Sequence, residues 1–185
     1  MKKPLREMTL DELWTLFPIF LVAPKPEWEA RYARMEQKLA AVLANFRVTR
    51  ISHIGSTAIK DIWAKDIVDI LLEIDPNEDM EKVAEAAEAL GFLRMSSGNG
   101  RISLNFGYTP DGFAEEVFHL HLRFAGDNDE IYFRDYMNAH PDLAREYEHL
   151  KLGLWKRYEH DRDGYTRAKG DFIRHWTQVA KAYLS

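Results

Sequence analysis

The sequence has no cysteine in 185 residues. Disulfides, thiolate metal sites and cysteine nucleophiles are therefore excluded, and packing must hold the fold. Charge of one sign is nowhere concentrated: the formal net charge is −5 and no block of like charges stands out. The electrostatic footprint of a dedicated DNA or RNA binder is missing, although a local basic cleft remains compatible with that composition. Long apolar runs are missing too. The stretch from Phe17 to Ala23 is broken by Pro18 and bounded by Pro24, so neither a secretory signal nor a membrane span is predicted, and the expected location is cytoplasmic. Two catalytic patterns are absent: the G-x-x-x-x-G-K of a P-loop and the G-x-S-x-G of a nucleophile elbow.

What is present suffices for a core. Hydrophobic residues make up 46% of the chain and aromatics 12%, with five tryptophans. The length predicts one domain over residues 1–185, divided into N-terminal helices and a short strand (1–46), a sheet core (47–125) and C-terminal helices (126–185). Thr9 is placed to cap a short helix ended by Pro18, with Asp11 and Glu12 in its first turn. "IFLVA" reads as a short strand, and Trp28, Tyr32, Met35, Leu39, Val42 and Leu43 recur at helical spacing to about Asn45. Extended segments follow, "RVTRISHI", "DIVDILLEI", "FLRMS", "RISLNFGY" and "EEVFHLHLRF", with a helix from Met80 to Leu90 closed by Gly91. The turn "TPDGF" predicts that the last two strands form a hairpin. From Asp129 three helical pieces are expected, the second starting at Pro141 and separated from the third by "DRDG" at Asp161 to Gly164. This order predicts an α+β fold, a small mixed β-sheet flanked by helices.

Strand alternation sorts the polar residues. Phe118, Leu120, Leu122 and Phe124 share one face, leaving His119, His121 and Arg123 on the other. Ile102, Leu104, Phe106 and Tyr108 share a face opposite Arg101, Ser103 and Asn105. A face in plain water is one reading, as antiparallel sheets commonly have. Water-facing positions more often carry Lys, Glu and Thr, however, so a lined cleft is expected. Cα atoms two apart on a strand lie about 7 Å from each other, which lets both imidazoles reach one metal; a phosphate or substrate contact and a plain surface position are the alternatives.

The stretch "HIGSTAIKDIWAKDIVDILLE" sets Gly55, Ser56 and Thr57 after a strand, with Ser56 or Thr57 as a helix cap. A turn of that kind exposes backbone N–H groups that can receive phosphate. Asp69 follows amid apolar residues, where an aspartate is costly unless paired, hydrogen-bonded or metal-bound. An ion pair with Lys65 or Arg123 is the alternative reading. Lys65 and Arg123 serve as anion contacts or plain ion-pair partners, and His53 as a ligand contact or a strand-end cap.

These residues resemble the signature of the GrpB family, related to the nucleotidyltransferase superfamily, whose pattern runs approximately HIGSTAVPGLxAKPxxDIxxxV. "FHLHL" at Phe118 to Leu122, "FRDYMNAHP" at Phe133 to Pro141, Lys151 in "HLKLGL" and "YTRAKGDFI" at Tyr165 to Ile173 match in the family's order. The resemblance implies a nucleotidyltransferase-like fold in which Gly55 and Ser56 match the phosphate turn and Asp69 the first metal carboxylate, with Lys151, Tyr165 and Lys169 lining the cleft from the helical side. Lys60, Asp61 and Ile62 replace the family's Pro-Gly-Leu and Asp66 its proline, which predicts a different loop path. The superfamily's second carboxylate falls at Leu71, and Glu73 lies about 13 Å along the strand from Asp69. Two-metal chemistry is thereby disfavoured. Asp69, His119 and His121 are instead the expected ligands of a single divalent ion, Mn or Zn in preference to Mg. The expected partner is a small phosphate-bearing molecule, a nucleotide, rather than a membrane or nucleic acid. Transfer of a nucleotidyl group, with Asp69 catalytic, stands beside a non-catalytic binding or regulatory module on the same fold.

Overall fold

Alternating apolar positions in the middle third of the chain assemble into a sheet with both faces covered. The computed structural model describes residues 3–184; Met1, Lys2 and Ser185 lie outside the described residues. Five strands, β1 (Val48–Ile54), β2 (Val68–Ile74), β3 (Leu93–Gly98), β4 (Arg101–Thr109) and β5 (Gly112–Phe124), lie in the order β1-β2-β5-β4-β3. Only β2 and β5 pair in parallel, Asp69 opposite His119 and Leu71 opposite His121; the other pairs are antiparallel. The fold is α+β with a mixed sheet, as expected.

One face carries Val68, Ile70, Leu72, Phe118, Leu120, Leu122, Ile102 and Leu104, all at most 1% exposed. Helices α2 (Glu27–Val42) and α3 (Met80–Glu88) cover it with Trp28, Tyr32, Met35 and Leu39 and with Val83, Ala84 and Ala87. The opposite, polar face is roofed by α4 (Asp129–Ala139), α5 (Pro141–Trp155) and α6 (Arg162–Leu184) around a second core that includes Phe133, Met137 and Tyr147. Arg134 of α4 donates to the His53 carbonyl at 2.6 Å, and Asn138 donates to Ala58 O, so α4 grips the end of β1 and the turn after it. Ahead of the sheet, α1 (Leu10–Leu16) starts at Thr9 with a complete capping box to Glu12.

Four expectations need correction. "IFLVA" has the alternation of a strand, with Ile19 and Leu21 buried. Its partners are nevertheless a loop and a helix end: Val22 bridges Ala64, Ile19 N–H donates to Glu159 O, and Trp155 Nε1 donates to Ile19 O. The segment is a strap. Helix α2 stops at Val42, before Asn45. "DRDG" starts the last helix instead of separating two, because Asp161 Oδ1 accepts from Gly164 N–H at 2.8 Å and caps α6. Finally, Tyr108 leaves the apolar face. The register slips between Phe106 and Tyr108, where Gly107 sits at φ +87° and a Cβ would stand 2.2 Å from Glu116 O. The glycine permits a bulge, and a bulge re-aims the next side chain.

Candidate metal and anion site

The polar face and its helical roof enclose a cleft of about 730 Å³. On its floor, Asp69 Oδ1 lies 3.2 Å from His119 Nδ1 and 3.1 Å from His121 Nε2. Donor atoms of all three side chains fall within 4.8 Å of one another. The strand register produces this convergence: β2 and β5 run parallel with Asp69 beside His119, and His121 is the next position on the same face. Each side chain is partly exposed, between 17% and 26%. Burial would raise the Asp69 carboxyl, but hydrogen bonds and charge from the two imidazoles hold it well below the usual carboxylate range. Burial pushes His119 the other way, lowering it despite Asp69.

Gly55 closes in from β1. It holds φ +71°, and a Cβ there would meet Asp69 Oδ2 at 2.5 Å. Only glycine lets the backbone pass so close to the carboxylate. The turn after it, Ser56–Ala58, is a single 3-10 turn without a side-chain cap, so the expected helix N-terminus does not form there. Ser56 lines the cleft. Thr57 faces inward, sharing a 2.9 Å contact with His53 Nε2 and donating to Ile67 O. His53 stacks on Tyr32 with ring centroids 4.9 Å apart; it braces the strand end and does not line the cleft.

The cleft is basic within an acidic chain: seven lysines and arginines line it against three carboxylates. Arg101, Arg174 and Lys181, towards the far end of α6, are neutralised by Asp127, Asp171 and Asp129. The inner wall is different. Lys65 and Lys169 stand over the Tyr165 ring at 5.9 and 5.0 Å, with no carboxylate within 4 Å among the described residues. Burial brings the Lys65 ammonium down to about 7, and Lys169 and Arg162 push in the same direction. Lys151, 1% exposed, is lowered to about 7 by burial and then by Lys169. It donates to Trp63 O while Glu148 accepts from Trp63 N–H, so α5 clamps this loop residue from both sides.

Other candidates lie elsewhere. Arg123 is 6% exposed, has Asp127 3.7 Å away and does not line the cleft. Glu73 is fully buried and held by Arg50, the Gly126 N–H and Asn128. Leu71 is fully buried. Two residues that support the site escape pattern reading: Arg162, which lines the cleft, and Tyr108, which stands behind His119. Arg162 Nη1 donates to Tyr108 Oη at 2.7 Å, and that oxygen lies 2.8 Å from His119 Nε2. Gly107 inside a strand was the available signal for Tyr108; Arg162 sat in a stretch that resembled a linker.

The departures from the family pattern acquire causes. Asp61, where the signature has glycine, adopts φ +58°, a left-handed conformation that glycine takes without strain. Asp66, in place of proline, accepts from Trp28 Nε1, Lys25 and Arg31 at 2.7–2.8 Å and ties α2 to the loop before β2.

Comparison with known proteins agrees with this architecture. The GrpB protein family matches residues 18–179. The chain belongs to the GrpB family. The glutamate-rich protein GrpB of Alkalihalophilus pseudofirmus is 32% identical over 161 residues, 84% of this chain and 91% of that protein. A UPF0157 protein of Pseudomonas aeruginosa is 34% identical over 151 residues, 80% of this chain and 62% of that protein. Among solved structures, conserved protein GrpB from Enterococcus faecalis superposes with a TM-score of 0.76 at 26% identity, covering 90% of this chain and all of that one. In this GrpB chain the signature glycine-serine turn and "FHLHL" meet at one carboxylate.

Proposed function

We propose that the cleft binds a phosphate-bearing small molecule, a nucleotide, together with one divalent ion on Asp69, His119 and His121, on a nucleotidyltransferase-like scaffold. One observation carries this reading: a nitrogen and oxygen donor set within 4.8 Å shares a cleft with Lys65, Lys151, Arg162 and Lys169. The donors fit an ion. Ligands bound at about 2.0–2.2 Å in a tetrahedron sit roughly 3.3 Å apart, close to the 3.1 and 3.2 Å contacts on Asp69 Oδ1. Two imidazoles and a carboxylate suit Mn or Zn better than Mg.

When bound, the ion supplies Lewis-acid stabilisation of charge on a phosphate oxygen. The chain's own groups do the remainder. Lys169 provides positive charge without a carboxylate partner, a bound phosphate draws the Lys65 amine back towards its charged form, Gly55 brings the backbone beside the phosphate, and the α4–α6 roof limits water. Transfer of a nucleotidyl group to an acceptor is the catalytic form of this reading, with positioning and charge supplying most of the effect. Leu71 favours a second form. An apolar, fully buried residue where a second carboxylate stands in the superfamily pattern suits a module that recognises phosphate without transferring it.

Calorimetric titration decides between them. The metal-stripped protein and its Asp69→Asn variant are titrated with ATP, GTP, CTP and UTP, each alone and with Mg, Mn or Zn. Metal-dependent binding lost in the variant supports the metal-nucleotide reading and opens an acceptor search. Tight binding without metal, unchanged by the substitution, supports the recognition module. No binding of any nucleotide overturns the nucleotide assignment.

A further inference from the structure

The hydrogen-bond chain behind His119 is built from residues far apart in sequence. Arg162, at the start of α6, donates to Tyr108 of β4, and Tyr108 reaches His119 of β5. Each link has its own support. Gly107 makes the bulge that carries Tyr108 off the apolar face. Phe17 and Phe113 pack on the phenol ring with centroids 4.7 and 5.2 Å away, and its plane lies 24° from that of His119.

We infer that Tyr108 is the positioning residue of the Asp69–His119–His121 centre, gripping His119 Nε2 so that Nδ1 is presented to the ion position; this rests on the metal reading above. The hydrogen inventory gives the mechanism. A guanidinium only donates, so with Arg162 donating to Tyr108 Oη, the phenol hydrogen is free for His119. Nε2 then accepts, and Nδ1, 3.2 Å from Asp69 Oδ1, carries the imidazole hydrogen. Loading an ion on Nδ1 requires the opposite tautomer, with the hydrogen on Nε2. The same phenol oxygen then accepts from Nε2–H, still held by Arg162. A hydroxyl serves both arrangements without moving the ring, whereas phenylalanine serves neither. Metal-ligating histidines generally depend on such a partner for their second nitrogen, and its removal typically costs 10–100-fold in affinity.

The test uses Tyr108→Phe and two readouts. Long-range 1H–15N NMR on the metal-free protein is expected to find His119 as the Nδ1–H tautomer in the parent and shifted from it in the variant, with His121 unchanged. Titration with Mn²⁺ or Zn²⁺ alone is expected to show 10–100-fold weaker binding in the variant. Unchanged metal affinity overturns the inference, and so does weaker binding with an unchanged His119 tautomer, since that marks a merely structural loss. If the parent itself binds no metal, the metal reading falls and the positioning role falls with it, while the NMR arm still reports whether Tyr108 holds His119. Should Tyr108→Phe fail to fold, Arg162→Met replaces it. It is expected to move both readouts in the same direction by a smaller factor, and no movement in either overturns the inference.

Discussion

At the scale of single residues, the site depends on two groups whose environments are costly. Gly55 combines φ +71° with a Cβ position 2.5 Å from Asp69 Oδ2. Gly55→Ala must strain the backbone and displace the carboxylate together. Roughly 2 kcal/mol or more of stability is expected to be lost, with metal affinity falling as well; urea denaturation and a metal titration check the two effects. Lys151 is the second. Its folded pKa of about 7 lies below the ordinary lysine value, so folding disfavours the charged form. Below pH 7 both states hold the proton and the full penalty applies; between pH 7 and 10 the unfolded chain holds more protons, and stability rises with pH. Each depressed lysine contributes up to about 1.4 kcal/mol per pH unit in that window, and Lys65 acts in the same direction. Lys151→Met is expected to flatten this rise, as seen in urea midpoints at pH 7 and pH 9. A rise of unchanged steepness contradicts it.

At the scale of elements, loops and caps decide where the site residues stand. The loop after the glycine-serine turn is held by Asn138 of α4, Glu148 and Lys151 of α5, and Asp66, which draws in α2. Asp61 pays the left-handed conformation in that loop with a side chain attached. Asp61→Gly is expected to raise stability by about 0.5–1 kcal/mol, less than the full conformational cost because glycine also loosens the unfolded chain; thermal or urea unfolding measures it. Strands β1, β2, β4 and β5 and the hairpin turn were legible from alternation and turn chemistry. The "IFLVA" strap was not, because alternation reports which side chains are buried and not which backbone groups they pair with. Tyr108 was misplaced because one bulge reverses the parity on which every face assignment depends.

At the scale of the whole molecule, charge is distributed against its own average. The chain carries −5 overall, yet the charged residues that line its cleft are mostly cations, and among the described residues Lys65 and Lys169 of the inner wall have no carboxylate within 4 Å. Binding of an anion there is expected to weaken markedly between 50 and 300 mM NaCl while the fold's stability changes little, since Lys65, Arg162 and Lys169 are partly exposed and screened by salt. Inorganic tripolyphosphate titrated at the two salt concentrations checks this, and salt-independent binding argues against the inner wall as the anion station. None of the described helices is long and apolar enough to cross a membrane.

The sequence by itself determined the family, through the motifs it shares with it, and, through local periodicity, the order of the central strands and helices, the apolar faces of β2 and β5, and the placing of His119 with His121 on one side of β5. The tertiary structure decided the remainder. That Asp69 meets both histidines follows from a parallel pairing of β2 with β5, 50 residues apart and set by strand order. That Arg123 turns away, that Lys65 and Lys169 share one tyrosine ring, and that Arg162 reaches His119 through Tyr108 all depend on how three helices settle over a sheet. Those contacts join segments with no common period, so packing alone could choose them.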